Sequence, residues 1–318
     1  MGKFPHPMRT HLIAAVLFSC LAIHPTHADT AEKPLFKDFI GINGHFQFKP
    51  DLYKQTCRLV RNYHNINWDV KKPGDPITFP HCPNKVDWDK HVYGKWVDAG
   101  FEVDLCAQFG SFGEANEDYL KLWEGQEKWF HQYGYYSCTP EAMKKRQGWA
   151  KKLNWKGVTD KQQAQYLIRS LFCFSERDIQ RAYIYYFNDS DEASVHASSG
   201  LTRNFQPKPS FWAVKHLYET LGDYRMNRVV HQESGHLYAY EFTHASDKQL
   251  VAWVVWSPTG NDREQQVTLQ NIPGRPVKAE QMPLQNNSSN KIDYQVPDAR
   301  SITLTISESP IYLMFEKQ

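Results

Sequence analysis

The stretch "GVTDKQQAQYLIRSLF", residues 157–172, carries the clearest helix signal in the chain. Thr159, followed three positions later by Gln162, has the spacing of a capping box, in which each side chain binds the backbone N–H of the other residue. Beyond this cap, apolar residues recur at helical spacing on one side: Ala164, Leu167, Ile168, Leu171 and Phe172. The stretch therefore predicts an amphipathic helix that begins after Thr159 and packs against a core.

Strands and helices alternate on both sides of this helix. Strands are predicted in "LFKDFIGING" (35–44), "CRLVRNYHNINWDV" (57–70), "FEVDLCAQF" (101–109) and "AYIYYF" (182–187). Helices are predicted in "WDKHVYGKWVDAG" (88–100), "EDYLKLWEGQEKWFHQYG" (117–134) and "KPSFWAVKHLYETLG" (208–222). This alternation is typical of a parallel sheet with helical crossovers.

The pattern changes from about residue 229, where short strands follow one another between turn-forming stretches such as "SPTGND" and "NNSSN". In the last part of the chain Ile302, Leu304 and Ile306 alternate with polar residues, which predicts a strand with one buried face. The pattern predicts a small all-β sandwich domain over residues 229–318.

The first 28 residues have the features of a secretory signal peptide. Lys3 and Arg9 precede the apolar run "LIAAVLFSCLAI" (12–23), and the small residue Ala28 marks a probable cut before Asp29. Lipid attachment at Cys20 is an alternative. The run is too short to span a bilayer, and no later run is long enough. The sequence therefore predicts a secreted or periplasmic protein with no membrane span.

Composition argues against several functional classes. The 318 residues include 37 basic and 35 acidic ones, a net charge of +2, which gives no reason to expect a nucleic-acid partner. Of the 6 cysteines, only Cys20 lies in the signal peptide, and the odd number that remains leaves at least one unpaired. Since neither a CxxC nor an HExxH pattern occurs, we predict no metal and no cofactor.

Several stretches together resemble one known family. They are "FIGINGHFQF", "RLVRNYHNINWDV", "YYSCTPEAM", "GVTDKQQAQYLIRS", "AYIYYFNDSD" and "SGLTRNFQPKPSFWAVKHLYETLGD". In order and spacing they resemble the clan A glycoside hydrolases, in which a (β/α)8 TIM-type barrel precedes a β-sandwich. The layout is most similar to that of the xylosidase and iduronidase families.

The resemblance implies cleavage of O-glycosidic bonds in an oligo- or polysaccharide by a retaining mechanism. Such enzymes carry an Asn-Glu acid/base after the fourth strand and a Glu nucleophile after the seventh, with the carboxyl groups about 5–5.5 Å apart. Neither strand is recognisable here. Residues 36–228 number 193, against about 250 for a complete barrel. We therefore expect residues 29–228 to form a shortened or incomplete barrel.

Two glutamates are weak candidates for the acid/base. Glu117 follows Asn116 in "FGEANEDYLKLW", and Glu141 lies in "TPEAM". Each also stands where the first turn of a helix is expected, and an acidic residue there interacts favourably with the helix dipole. Both interpretations stay open for both residues.

The resemblance also implies a set of sugar-binding residues at the ends of the strands: His45, Arg61, His64, Trp68, Tyr135, Tyr136, Tyr185, Tyr186 and Asp189. Aromatic rings suit the flat faces of sugars but serve equally well in ordinary cores. Arg61 differs from the others because a charged residue within a strand pattern needs either a partner or a ligand.

Three hypotheses about the protein's role follow. The protein is an exported retaining glycoside hydrolase, a catalytically inactive relative that binds carbohydrate, or an internally deleted product whose barrel does not close. An open parallel sheet in the last case would expose edge strands and favour aggregation.

Overall fold

A computed structural model gives the structure of the chain. It describes residues 32–44, 49–65, 76, 78, 93–108, 129–177, 179–193, 198–286 and 290–317. Lys33–Gln318 form one compact unit. The predicted signal peptide lies outside the described residues.

Five strands form a parallel sheet: β1 (Ile40–Asn43), β2 (Leu59–Asn65), β3 (Glu102–Gln108), β4 (Trp129–Tyr133) and β5 (Arg181–Ile184). Their order across the sheet is β3-β2-β1-β5-β4, and every neighbouring pair is parallel. The first strand in sequence is therefore the central one. Within the described residues, β3 and β4 are the two edges.

The helices of the described residues are α1 (Phe36–Phe39), α2 (Pro50–Tyr53), α3 (Gly94–Asp98), α4 (Pro140–Lys144), α5 (Gly148–Lys152), α6 (Asp160–Glu176) and α7 (Pro209–Leu221). The two long ones confirm the sequence predictions. Helix α6 begins with the predicted capping box of Thr159 and Gln162, and α7 ends at Gly222. None of these helices combines the length and the apolar character that crossing a membrane requires.

The predicted strands are found, with two corrections. Phe36–Phe39, expected at the start of the first strand, form one helical turn before β1. The helix predicted over 117–134 is wrong in its described part, because Trp129–Tyr133 form β4. Aromatic residues favour strands as well as helix faces, and here pairing with β5 determines the conformation.

The other strands of the described residues form three further sheets. A short sheet follows β5: β6 (Asn188–Asp189), β7 (Thr202–Arg203) and β8 (Gln206–Pro207). An antiparallel sheet contains β9 (Tyr224–Glu233), β10 (Leu237–His244), β11 (Leu250–Trp256), β13 (Arg275–Gln281) and β16 (Ile311–Glu316). Another contains β12 (Gln265–Gln270), β14 (Tyr294–Asp298) and β15 (Ser301–Ile306).

One hydrophobic cluster joins the parallel sheet to the C-terminal strands, and Phe172 of α6 lies within it, fully buried. The Phe172 ring packs against Phe36 of α1 at 5.8 Å between ring centroids. On its other sides it meets Phe242 at 5.6 Å, Trp256 at 5.8 Å and Tyr312 at 6.1 Å, which lie on β10, β11 and β16. Helix α6 thus buries part of its apolar stripe against the C-terminal sheet.

We expect Phe172→Ala to lower the free energy of unfolding by about 3–5 kcal/mol, because it removes a fully buried ring from an aromatic cluster. Urea unfolding followed by circular dichroism and by tryptophan fluorescence measures the loss. Phe174→Ala, two residues along the same helix at a partly buried position, is the matched control and should lose less. Equal losses in the two variants would contradict the central role of Phe172.

Candidate functional site

The two faces of the parallel sheet differ in polarity. Ile40, Ile42 and Val60 point into the hydrophobic cluster shared with the helices. Side chains alternate along a strand, so the residues between them point the other way. This second face, the polar sheet face, carries Asn43, Arg61, Glu102, Asp104, Arg181 and Tyr183, which the strand register brings side by side.

A glycine makes room for the aromatic residue on this face. Gly41 pairs with Tyr183 on the neighbouring strand. A Cβ atom at Gly41 would lie only 2.3 Å from Cε1 of the Tyr183 ring. The ring therefore lies directly against the backbone of β1. Its hydroxyl interacts with Asp104 and with Arg181.

Arg61 lies at the centre of the polar sheet face and is only 4% exposed. Its guanidinium donates a hydrogen bond of 3.0 Å from Nη1 to Oδ1 of Asn43. The register continues this row from Arg61 to Asp104 on β3. Asn43, Arg61 and Asp104 thus form one row across β1, β2 and β3.

Asp104 has the most perturbed carboxyl group on this face. Burial raises its pKa from 3.8 to about 6, although the positive charges of Arg61 and Arg181 oppose the shift. Its Oδ2 atom is buried and has no hydrogen-bond partner among the described residues. Strongly perturbed carboxyl groups of this kind are concentrated at functional sites.

Arg181 and Glu102 close the amino-terminal side of the polar sheet face with an ion pair. A second arginine, Arg58, also approaches Glu102, at 3.7 Å. Glu102 is therefore matched by two cations, whereas Asp104 retains a buried oxygen without a described partner. The charged side chains at this end of the polar sheet face are thus held in place by ion pairs.

The carboxyl end of β4 leads into a tyrosine pair. Gly134 approaches the neighbouring segment so closely that a Cβ atom would lie 2.3 Å from the carbonyl oxygen of Tyr185. Tyr135 packs onto α6, where its hydroxyl and Oγ of Ser170 are 2.7 Å apart. Tyr136 is half-buried, and its ring lies 6.2 Å from that of Trp155. Of the two, only Tyr136 has the surroundings expected of a sugar-stacking residue.

Tyr185 and Tyr186 follow β5 directly, with ring centroids 4.7 Å apart. The peptide bond between them is cis. Burial, with the nearby charge of Asp189 as the second cause, raises the pKa of the Tyr186 phenol. Tyr186 is 9% exposed and Tyr185 is half-buried. Both thus lie near the carboxyl end of the sheet.

The loops beyond these tyrosines are held by a buried group of charges, which we call the loop ion cluster: Asp160, Asp189, Asp191, Arg203 and Lys208. Lys208 Nζ contacts Oδ2 of Asp189 at 2.9 Å, and both side chains are almost completely buried. Burial raises the pKa of Asp189 and lowers that of Lys208, while their mutual attraction opposes both shifts. Such a pair is stable only when both members are present.

Arg203 connects the remaining members of the loop ion cluster. It donates hydrogen bonds to both carboxylate oxygens of Asp160, at 2.9 and 3.1 Å, and its Nε lies 3.0 Å from Asp191. Burial alone would raise the pKa of Asp160, but the bonds from Arg203 and its other partners lower it overall. Asp191 in turn accepts hydrogen bonds from the backbone N–H and the hydroxyl of Thr139. The cluster thus ties the loops after β4 and β5 to the first turn of α6.

The structure does not bring all the predicted site residues together. Arg61 lies on the polar sheet face, while Asp189 belongs to the loop ion cluster and Glu141 is exposed in the first turn of α4. His64 lies in β2. His45, Trp68 and Glu117 lie outside the described residues.

Sequence reasoning missed Asn43, Asp104, Arg203 and Lys208. Asp104 could have been found, because it interrupts the apolar strand pattern "FEVDLCAQF" just as Arg61 interrupts its own. Asn43 was hidden because it reads as part of an Asn-Gly turn. Arg203 and Lys208 carry no local signal, since their partners are distant in sequence.

We expect Lys208→Ala to lower the free energy of unfolding by about 3–5 kcal/mol, because it leaves the fully buried Asp189 carboxylate with only the more distant Arg203, at 3.9 Å, as a cation partner. Lys215→Ala is the matched control. Lys215 lies on α7, which begins directly after Lys208, and pairs with the exposed Glu219, so the loss in stability of Lys215→Ala should be below about 1 kcal/mol. Chemical denaturation of both variants makes the comparison. A loss of less than about 1 kcal/mol for Lys208→Ala would contradict a structural role for the cluster.

Asp104→Asn should gain stability relative to the wild type as the pH rises. The native pKa of Asp104, about 6, exceeds the reference value of 3.8. The native protein therefore holds this proton more tightly, and its contribution to stability is lost between pH 4 and pH 6. The difference in the free energy of unfolding between variant and wild type should shift by about 2 kcal/mol in favour of the variant between pH 4 and pH 7. Urea unfolding at both pH values measures it. A difference that does not vary with pH would show that Asp104 is not the buried acid described.

Comparison with known proteins gives likeness at the level of the fold. The sequence matches no family model and no curated protein. Among solved structures, a family 39 glycoside hydrolase from the gut symbiont Bacteroides cellulosilyticus is similar, with a TM-score of 0.52 and 12% identity over 88% of this chain and 81% of that one.

Two xylanases of glycoside hydrolase family 30 are also similar, though more weakly. Xylanase C from Talaromyces cellulolyticus has a TM-score of 0.44 and 11% identity over 82% of this chain and 63% of its own. An endoxylanase from Clostridium papyrosolvens has a TM-score of 0.38 and 12% identity over 85% and 61%. The chain spans less than two thirds of either xylanase. The structural neighbours of this mixed α/β chain are thus glycoside hydrolases with TIM barrels, and the first of them shares its fold.

Proposed function

We propose that this protein is an exported, glycoside hydrolase-like protein that binds an oligo- or polysaccharide at the carboxyl end of its parallel sheet. The site would combine the polar sheet face with Tyr136, Tyr185 and Tyr186, in the loops after β4 and β5. Barrel-type folds bind their ligands at this end of the strands. Tyr136, Tyr185 and Tyr186 offer aromatic rings there, and Arg61 and Asn43 offer polar groups.

The observation that carries the proposal is the absence of a carboxylate where β4 ends. In a closed (β/α)8 barrel the last strand pairs with the first and with the seventh. Here β5 pairs with β1 and with β4, so in a shortened barrel β4 would take the place of the seventh strand, which carries the nucleophile in clan A enzymes. The residues at its end are Tyr133, Gly134, Tyr135 and Tyr136. Without a carboxylate there, the two-glutamate retaining mechanism lacks its nucleophile.

The proposal includes the architecture that the resemblance implies. Residues 29–228 would form a shortened barrel, and residues 229–318 would form a β-sandwich. Two features support the sandwich: the antiparallel sheets of the C-terminal part, and a second hydrophobic cluster built from both of them. Export rests on the signal peptide pattern of residues 1–28.

A second candidate function is hydrolysis with a carboxylate from another position. It is favoured by one observation: the segment 109–128, which contains Glu117, joins β3 to β4, the two edges of the described sheet. Glu141, exposed on α4, is the other candidate from the sequence. Either residue would serve as the acid/base of a retaining enzyme.

The third possibility, an internally deleted product, predicts a poorly folded chain. The buried clusters and the loop ion cluster of the described residues favour a folded protein instead. Cooperative unfolding of the purified chain, measured as heat or urea is increased, distinguishes the two.

We expect the purified chain from Asp29 onward to bind at least one of xylotriose, cellotriose and maltotriose in calorimetric titrations. It should not hydrolyse a panel of aryl glycosides above the rate of a buffer blank. Tyr136→Ala should weaken binding about threefold to tenfold by removing an aromatic face. Tyr135→Phe is the matched control and should bind as the wild type does, because that ring packs on α6.

Two outcomes would overturn the proposal. Failure of the chain to bind any of the three oligosaccharides would contradict the proposed carbohydrate site. Turnover above the blank removes the claim of inactivity, and Glu117→Gln and Glu141→Gln then identify the acid/base by which variant loses the activity.

A further inference from the structure

Two buried polar atoms on the polar sheet face have no hydrogen-bond partner among the described residues. One is the amide nitrogen Nδ2 of Asn43, a donor, and the other is the carboxylate oxygen Oδ2 of Asp104, an acceptor. The Asp104 carboxyl group also interacts with the hydroxyl of Tyr183. Leaving such groups unsatisfied costs about 1–3 kcal/mol each. They lie in the same row, with Arg61 between them.

The orientation of the Asn43 amide follows from Arg61. A guanidinium has only donors, so the Asn43 atom that faces Arg61 at 3.0 Å must be the oxygen. The amide nitrogen is then turned away from Arg61. The hydrogen bond from Arg61 thus fixes the remaining polar atom of the Asn43 side chain as a donor. Asn43 is only 1% exposed.

The position of this pair suits a ligand. Asn43 is the last residue of β1, so its side chain lies at the carboxyl end of the strand, where ligands of parallel-sheet folds bind. Asn43 and Asp104 are separated by one intervening strand, and thus by about 10 Å between their backbones. A single sugar unit with hydroxyl groups on both sides can bridge side chains at that separation.

We propose that Asn43 and Asp104 form a hydroxyl-binding subsite, in which Asn43 Nδ2 donates to one hydroxyl group of a sugar and Asp104 Oδ2 accepts from another. This inference rests on the proposed carbohydrate-binding function and deepens it. A hydroxyl group is both donor and acceptor, so it satisfies either orphaned atom. A phosphate or a carboxylate would satisfy Asn43 but would be repelled by Asp104. The subsite therefore selects a neutral, hydroxyl-rich ligand.

Variants of the two residues test the subsite directly. Binding of xylotriose, cellotriose and maltotriose is measured by calorimetry, and thermal melting confirms that each variant is folded. Asp104→Asn and Asn43→Ala should each weaken binding of the probe that the wild type binds best by about tenfold or more, because the first replaces a charged acceptor by a weaker neutral one and the second removes the donor.

Each variant has a control outside the polar sheet face. Asn62→Ala removes another buried amide from β2, but on the opposite face of the sheet, and should leave affinity unchanged. Glu219→Gln alters an exposed carboxylate on α7 that pairs with Lys215, away from the polar sheet face, and should also bind normally. Wild-type affinity in both Asp104→Asn and Asn43→Ala overturns the subsite while leaving carbohydrate binding intact. A wild type that binds none of the probes overturns the proposed function together with the subsite.

The wild type alone gives a second test, which does not depend on a variant folding. The charged and titratable groups that face Asp104 in the described residues are Arg61, Arg181, Glu102 and Tyr183. Because only the ionised carboxyl offers two acceptor oxygens, and its pKa is about 6, affinity should be about tenfold weaker at pH 5 than at pH 7. The same affinity at both pH values overturns the subsite.

Discussion

The packing of Phe172 is the interaction on which the rest of the structure depends. Its ring contacts the aromatic residues of α1 and of three C-terminal strands, so one helix joins the parallel sheet to the antiparallel one. Close-packed interiors transmit such constraints because they contain few voids. The first turn of the same helix holds the loops after β4 and β5 through Asp160. Helix α6 therefore fixes both the core and the edge of the candidate site.

The polar sheet face and the loop ion cluster differ in how completely their buried polar groups are paired. The loop ion cluster is almost fully paired, and its charges hold the loops in place. Asp104 and Asn43 each retain a buried atom without a described partner, which destabilises the folded chain. Proteins retain such unfavourable arrangements mainly at functional sites. The contrast between the two groups is the reason to assign structure to one and binding to the other.

Under the proposed function, the tyrosines at the end of β4 favour sugar binding over sugar cleavage. A sheet that presents aromatic rings and hydrogen-bonding groups can bind a sugar without cleaving it, because cleavage with retention needs two carboxyl groups across the bond. Function on a common fold is determined by the site rather than by the fold. Under the proposed function, a carbohydrate would bind at the carboxyl end of the parallel sheet, and the residues there decide whether it is cleaved.

The sequence by itself determined α6, α7 and most strands, because caps and apolar periodicity are local signals. It also identified Arg61 as a charge that needs a partner. Only the tertiary structure decided that Trp129–Tyr133 form a strand and that Asn43, Arg61 and Asp104 share a row. Such features depend on strand register, which pairs residues distant in sequence and is set by the packing of the whole sheet.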